Sequence, residues 1–151
     1  EGTEWDFRWT TQRPDRQPLE AEVVDVADAD VAELLALANP DAAAQPGDAR
    51  VRRWVGIRHT GRDHLVACAA DTSEATGVGH VSSITVREDR RGAGLGSAVT
   101  AALIGDLLTA DCDVVTLGMY ASNTAGRALY DRLGMHERGY TSGALRIRSR
   151  W

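Results

Sequence analysis

The sequence predicts one mixed α/β domain, in which a central sheet carries helices on its faces. Short apolar or alternating runs dominate the first half of the chain, whereas helix and strand patterns alternate from about residue 94. The chain has 151 residues, of which 43% are hydrophobic and 26% are charged, so it is long enough to enclose a sizeable core. This composition excludes a disordered tail and a small disulfide-stapled protein.

The first half of the chain is predicted to hold one helix among several strands. Apolar residues from Val31 to Ala38 recur at helical spacing and predict a helix over 29–38, which Asp28 caps and Pro40 ends. The other predicted elements are a strand at 5–10 with a linker through 18, a strand at 20–26, a loop or weak second helix at 39–48, an antiparallel hairpin of strands 53–60 and 64–71, and a strand at 79–87.

The second half is predicted to alternate between helix and strand. An apolar residue recurs every four positions from Leu95 to Leu107, which predicts a helix over 94–110, and Asn123 opens a shorter helix that Gly134 ends. The remaining predictions are a buried strand at 114–120, inward side chains at Ala125, Leu129 and Leu133, and a closing hairpin of strands 135–140 and 144–148. We expect residues 1–18 to form an N-terminal strand and linker, and residues 19–151 to form a single domain.

The charge pattern bears on possible partners. All 17 basic residues are arginines, and 22 acidic residues leave a formal net charge of -5. Because proteins that bind polyanionic backbones are usually basic, we expect no nucleic-acid partner. A local positive patch that binds a small anion is still compatible with this balance.

Metal, membrane and compartment signals are weak in this sequence. Cys68 and Cys112 lie in apolar surroundings, and no pair of residues has the spacing of a zinc site, so we expect no metal. The longest uncharged stretch, 92–105, is shorter than the roughly 20 apolar residues of a membrane helix, so we expect no membrane partner. The chain opens with Glu1, and we expect it to be a trimmed product or a piece of something longer, located in the cytoplasm.

A glycine-rich loop between a strand and a helix carries the strongest chemical signal. Gly92, Gly94 and Gly96 alternate beside Arg91 where unpartnered backbone N–H groups and the positive end of the helix dipole attract anions. A diphosphate suits such a site. A Walker A loop is excluded because the chain has no lysine, and a dinucleotide fingerprint is excluded because Ser97 stands where it needs a glycine. The glycines also fit a simple tight turn.

This loop, Arg91-Gly92-Ala93-Gly94-Leu95-Gly96, resembles the Arg/Gln-x-x-Gly-x-Gly/Ala loop of the GCN5-related N-acetyltransferase (GNAT) family, in its FR47-like subset. The runs 117–123, 128–130 and 133–135 are similar to the second signature of that family. The resemblance implies a mostly antiparallel sheet of six to seven strands, splayed in the middle for acetyl-coenzyme A. The cofactor-binding residues that it implies are Ile84, Thr85, Val86, Arg91, Gly92, Ala93, Gly94, Leu95, Gly96, Ser97 and Asn123.

Asn123 and Tyr130 are separated by seven residues, close to two helical turns, so both side chains project from one face of the predicted helix. The resemblance implies that Asn123 contacts the pantetheine arm and that the Tyr130 hydroxyl lies near the thioester sulfur. A phenol with a pKa near 10 can supply the proton that the leaving thiolate needs. A helix cap and an interface tyrosine are the alternative interpretations of these two residues.

The base that would deprotonate an amine acceptor is less well marked. Many family members carry a glutamate on the strand before the loop, but here the strand reads His80-Val81-Ser82-Ser83. His80 is a candidate base and Ser82 a candidate relay, although a solvent-facing histidine is the alternative for His80. Asp71 and Glu137 are the remaining carboxylate candidates.

The sequence therefore predicts an acetyltransferase that moves an acetyl group from acetyl-coenzyme A to an amine by direct attack in a ternary complex. A non-catalytic acetyl-coenzyme A sensor, or one half of a tandem protein, is the alternative, and a binder of another phosphate ligand is a third hypothesis. The expected acceptor is a small-molecule or peptide amine, and the expected assembly is a monomer or homodimer.

Overall fold

The computed structural model describes residues 3–142, with side chains described for residues 4–138. Seven strands form one sheet in which three helices cover parts of the two faces. The strands are β1 (Thr3–Thr10), β2 (Val24–Val26), β3 (Arg53–Arg58), β4 (Leu65–Asp71), β5 (Val78–Val86), β6 (Val114–Tyr120) and β7 (His136–Ser142), and the helices are α1 (Asp28–Ala38), α2 (Leu95–Ala110) and α3 (Thr124–Arg132).

The strand order is β2-β3-β4-β5-β6-β1-β7. Strands β5 and β6 run parallel because α2 connects them, and the other neighbouring strands are antiparallel. The predicted fold class, a mixed and mostly antiparallel sheet flanked by helices, is thereby confirmed. β1 is an inner strand, since it pairs with β6 on one side and with β7 on the other.

Helices α1 and α2 pack on opposite faces of the sheet. One buried cluster joins α2 to Val66 and Val81, and a second cluster joins Leu34 of α1 to Trp54 and Cys68. Strand β4 lies between the two clusters, and its residues are buried along its whole length. Burial on both faces explains why its sequence is a continuous apolar run rather than an alternating one.

The sheet divides where β5 and β6 part. Their parallel pairing covers Val78 to His80 on β5 and ends at the pair formed by His80 and Thr116. Beyond this pair, the β5 segment 81–86 has no strand beside it on the β6 side within the described residues. The splay that the resemblance implied is therefore present.

A β-bulge sits on β5 at the same level. Ser82 pairs with Ala70 and Thr85 pairs with Cys68, so two residues of β5 oppose one residue of β4. Ser83, in this bulge, has a left-handed backbone with φ of 54°, and its hydroxyl accepts a hydrogen bond from the backbone N–H of Ala44 and donates one to its carbonyl, both at 2.9 Å. These two bonds fasten the loop after α1 to β5.

Two predictions for the N-terminal half are wrong in detail. The predicted strand at 20–26 begins instead with a 3-10 turn at Glu20–Glu22, because the buried Glu20 carboxylate accepts hydrogen bonds from the Gln17 backbone N–H at 2.6 Å and from Arg13 at 2.9 Å. Asp28 does not cap α1, since the helix starts at Asp28 itself and its carboxylate accepts the Gly47 backbone N–H at 3.1 Å.

Most other predicted elements lie within two residues of those found, and 39–48 is a loop. Ala125 was predicted to point inward, but it is exposed because its face of α3 borders an open cavity. The predicted strand at 144–148 lies outside the described residues.

We expect Leu103→Ala to lower the free energy of unfolding by about 3 kcal/mol, because it would leave a cavity in the α2 core where Leu103 is fully buried. Leu37 on α1 is 65% exposed, so Leu37→Ala should change this free energy by less than about 0.5 kcal/mol. Urea denaturation followed by circular dichroism measures both variants, and equal losses would contradict the placement of this core.

Candidate functional site

A cavity of about 680 Å³ opens where β5 parts from β6. The end of β5, the glycine loop, the first turn of α2 and one face of α3 form its walls. All the predicted cofactor-binding residues line it except Ala93, which is exposed in the loop. The lining also includes residues that the sequence analysis did not assign to cofactor binding: Ala38, Asn39, Ala125, Gly126, Ala128, Leu129 and Arg132.

The glycine loop needs glycine at two positions for its backbone conformation. Gly92 and Gly94 have φ angles of 79° and 83°, in the left-handed region that β-carbons disfavour. A β-carbon at either position would meet no atom within 4 Å. Gly94 is the N-cap of α2 and provides no side-chain cap, so the first N–H groups of the helix are not used by a capping side chain. The loop thus fits an anionic ligand.

Gly96 has a different reason to be glycine. A β-carbon there would lie 2.9 Å from Cδ1 of Leu129 and 3.4 Å from Cγ2 of Val86. The missing side chain therefore lets α3 and β5 approach the start of α2 closely. The sequence predicts phosphate approach or a tight turn for the three glycines, and the close packing at Gly96 is a constraint that it does not predict.

Asn123 caps helix α3, as its alternative interpretation predicted, and it also lines the first cavity. It is the N-cap of α3, and its Oδ1 accepts a hydrogen bond from the backbone N–H of Gly126 at 3.0 Å. This bond uses the oxygen of the side-chain amide. The amide nitrogen is the part of the side chain that the cap does not use.

Tyr130 lines the same cavity, and only 6% of its surface is exposed. Burial raises the pKa of its phenol to about 12, and the positive charge of Arg8 acts in the opposite direction. The assumption of a pKa near 10 is therefore wrong for the folded protein. At neutral pH the hydroxyl is fully protonated, so it is a hydrogen-bond donor and a weaker acid than a free tyrosine.

A second cavity, of about 380 Å³, is lined by His80 and Ser82, whose side chains are on the face of β5 opposite to the α2 core. These two predicted residues thus share a site separate from the first cavity, although the same strand lines both. The other lining residues are Ala43, Ala44, Arg50, Thr72, Glu74, Ala75, Val78 and Thr116.

The hydrogen bonds around His80 define its tautomer. The Thr116 hydroxyl donates to the Gly79 carbonyl at 3.1 Å, so its oxygen accepts from Nδ1 of His80 at 2.7 Å. Nδ1 therefore carries the proton, and Nε2 keeps the free lone pair. Burial lowers the pKa of His80, which Glu74 and Asp71 oppose. The ring is neutral at neutral pH and can accept a proton at Nε2.

The two carboxylates suggested as alternative bases are occupied elsewhere. Asp71 is buried and accepts hydrogen bonds from the Ser73 backbone N–H at 3.0 Å and from its hydroxyl at 2.6 Å. Glu137 forms an ion pair with Arg8 at 3.1 Å. Ser82 shares a 2.8 Å hydrogen bond with Thr72, which leaves it a possible relay at the cavity wall.

Glu74 is a carboxylate in the second cavity that sequence reasoning missed. It is exposed on the connection between β4 and β5. Arg50, the cation that lines the same cavity, is paired with Asp48 at 2.6 Å and holds the pKa of that carboxyl down at about 2. Since Asp48 offsets the charge of Arg50, Glu74 gives the cavity a net negative character. Loop composition alone gave no signal for this placement.

Between residues 3 and 142, no group of three or more histidine, cysteine, aspartate and glutamate side chains could hold a metal ion. In that same range, no helix has the length and apolarity to cross a membrane.

More than half of the chain, residues 54–142, matches the family described as FR47-like protein. The chain belongs to the FR47-like family. Solved structures similar to this FR47-like chain include a GNAT-family protein from Novosphingobium aromaticivorans, with a TM-score of 0.74, 22% identity, and coverage of 95% of this chain and 66% of that one.

Two further structures show the same likeness. An acetyltransferase from the GNAT family of Colwellia psychrerythraea has a TM-score of 0.71 and 11% identity, and the match covers 93% of this chain and 55% of the Colwellia chain. A GCN5-related N-acetyltransferase from Sphaerobacter thermophilus has a TM-score of 0.70 and 19% identity, and the match covers 93% of this chain and 51% of the Sphaerobacter chain. The FR47-like chain therefore has the GNAT fold, and it spans between half and two thirds of the length of these proteins.

We expect Asn123→Ala to destabilise α3 by about 1 kcal/mol, because the helix would lose its side-chain cap. Asn123→Asp is the matched control, since a carboxylate accepts the same N–H and also suits the positive end of the helix. Amide hydrogen exchange at Gly126 measures the difference. Equally fast exchange in both variants would show that the cap does not hold this helix.

Proposed function

We propose that the FR47-like chain transfers an acetyl group from acetyl-coenzyme A to an amine by direct attack. The observation that carries this proposal is the arrangement of β5. One end of this strand forms a wall of the first cavity at Ile84–Val86, and its other end carries His80 in the second cavity. A donor and an acceptor bound in these cavities would approach each other along one strand.

The first cavity fits coenzyme A in three respects. The uncapped start of α2 and Arg91 suit its diphosphate. The unpaired edge of β5 offers backbone groups to the amides of the pantetheine arm, as in the addition of a strand to a sheet edge. Tyr130 and Asn123 both line this cavity, and in our proposal Tyr130 acts on the thioester sulfur while the amide nitrogen of Asn123, which the cap does not use, binds the arm.

The second cavity fits a cationic amine. Glu74 favours an ammonium group, and an alkylammonium of pKa about 10.4 must lose a proton before its nitrogen can attack. The neutral His80 ring accepts this proton at Nε2. The volume of about 380 Å³ suits a small amine or the end of a peptide.

The reaction balances with these groups. The amine nitrogen attacks the thioester carbonyl carbon, the new C–N bond forms, and the C–S bond breaks with its electron pair left on sulfur. His80 passes the ammonium proton to solvent before the attack and then takes the second proton, which the nitrogen loses as the C–N bond forms. The Tyr130 phenol donates a hydrogen bond and then a proton to the thiolate. Solvent carries the second proton from His80 back to the tyrosine, and the products are an amide, free coenzyme A and the one proton released from the ammonium group.

We expect Gly94→Val to weaken acetyl-coenzyme A binding by about tenfold or more, because a side chain at this N-cap would displace the anion from the helix N–H groups. Gly61→Val is the matched control, since Gly61 has the same left-handed backbone, with φ of 78°, in the turn between β3 and β4. Calorimetry measures both affinities. Unchanged binding in Gly94→Val would show that the loop is only a turn.

We expect His80→Asn and Tyr130→Phe each to lower kcat about 10²-fold in an assay of thiol release on a panel of amines. In the wild type the rate should rise with pH as His80 loses its proton, with a midpoint below 6.5, and His80→Asn should lack this limb. His59→Asn, at the half-buried end of β3 and outside both cavities, should keep the wild-type profile.

These measurements separate the candidate functions. Specific binding of acetyl-coenzyme A without thiol release on any amine would favour a cofactor sensor over an enzyme. Equal binding of unrelated nucleotides would favour another phosphate ligand.

A further inference from the structure

A group of charged side chains lies beneath the first cavity. Arg8, in the middle of β1, is completely buried, and its Nε and Nη2 contact one oxygen of Asp6 at 3.1 and 2.9 Å. Its Nη1 donates to Asp131 at 2.5 Å, and its Nη2 lies 3.1 Å from Glu137. One guanidinium thus links β1 to α3 and β7.

On β1 the charged side chains face inward and the aromatic side chains face outward, which is the reverse of the usual pattern on a strand. Trp5, Phe7 and Trp9 are only half-buried, whereas Asp6 and Arg8 between them face inward. Moving a charged pair out of water is costly, and hydrophobic residues of similar size would often be at least as stable. The inward charges therefore point to a role besides stability.

The ion pair with Asp131 connects Arg8 to the helical turn of Tyr130, which is the proposed proton donor to the leaving thiolate. Asp131 follows Tyr130 directly on α3, so the Arg8–Asp131 bond restrains the turn of helix that carries the phenol. The charge of Arg8 also acts on the phenol and opposes the effect of burial on its pKa. Asp131 and Glu137 are 58% and 60% exposed, so solvent screens their charges more than that of Arg8.

We propose that Arg8 is a positioning residue for Tyr130, which it holds in place through its bond to Asp131 on the same helical turn. This inference rests on the proposed function. When the phenol gives its proton to the leaving thiolate, the O–H bond breaks, an S–H bond forms, and a phenolate is left on the helical turn that Arg8 holds through Asp131. The positive charge of Arg8 acts on this phenolate and opposes the cost of its burial.

Other charged side chains lie on the elements around Tyr130. Asp6 on β1 and Glu137 on β7 are both paired with Arg8, and Arg132 on α3 lies 3.5 Å from the Ser97 hydroxyl. Arg127 on α3 lies 4.0 Å from Asp6. A variant that tests Arg8 must therefore also remove its most buried partner, so that no lone carboxylate is left inside.

The test uses the double variant Arg8→Met with Asp6→Asn, which removes both buried charges together. We expect kcat for thiol release to fall about tenfold, as a loss of one pKa unit of phenolate stabilisation predicts, with KM for acetyl-coenzyme A within about twofold of the wild type. The control is Arg53→Met with Asp25→Asn, which removes a partly exposed ion pair between β2 and β3, where Arg53 also contacts Asp106. This control should keep the wild-type kcat.

A double-mutant cycle separates positioning from a general structural effect. In a Tyr130→Phe background, the Arg8 and Asp6 changes should lower kcat by less than about twofold, because the phenol through which they act is gone. An equal loss of kcat in both backgrounds would overturn the proposal.

A second readout does not require turnover. Replacing every tyrosine with fluorotyrosine lowers the pKa of each phenol, and fluorine NMR then reports its ionisation. The signal of residue 130 is the one that is lost in Tyr130→Phe. In the double variant the Tyr130 signal should titrate at a higher pH than in the wild type. An unchanged titration would overturn the proposal about Arg8. Absent thiol release in the wild type would instead count against the proposed function.

Discussion

The parting of β5 from β6 is the constraint on which the rest of the site depends. Two parallel strands normally continue their hydrogen bonds, but here the pairing stops at His80 and Thr116, and the backbone of 81–86 is left with one open edge. Unpaired backbone groups are costly when they are buried, so an open edge is stable only where water or a ligand can reach it. The gap therefore creates the first cavity, and the bulge at Ser83 directs the side chains before and after it toward different neighbours.

Burial acts on two titratable groups in opposite directions, and both effects keep the groups neutral. It lowers the pKa of the imidazole of His80 and raises the pKa of the phenol of Tyr130. A neutral imidazole accepts a proton, and a neutral phenol donates one, so each group is in the form that its proposed role needs at neutral pH. The fold achieves this separation by placing them in cavities lined by different parts of one strand.

The sequence was most informative where the chemistry is local. The glycine loop and the helix after it are contiguous, so their sequence pattern supported a resemblance whose implied cofactor residues, except Ala93, line the first cavity. Arg8 and Glu74 were missed because their partners are distant in the chain and only the strand register brings them together. The packing constraint on Gly96 was not predicted, since its close neighbour Leu129 belongs to a helix whose approach no local pattern reveals.

The inner position of β1 also constrains the order in which the domain can form during synthesis. Arg8 and Asp131 are 123 positions apart, and β1 cannot find either neighbour until β6 and β7 have left the ribosome. The half of the sheet under Tyr130 therefore closes late, after α1, α2 and β3 to β5 are available to pack together. Such distant contacts slow folding, and Trp5, Phe7 and Trp9 of β1 are exposed to water until these contacts form. The site that we assign to catalysis is thus finished last.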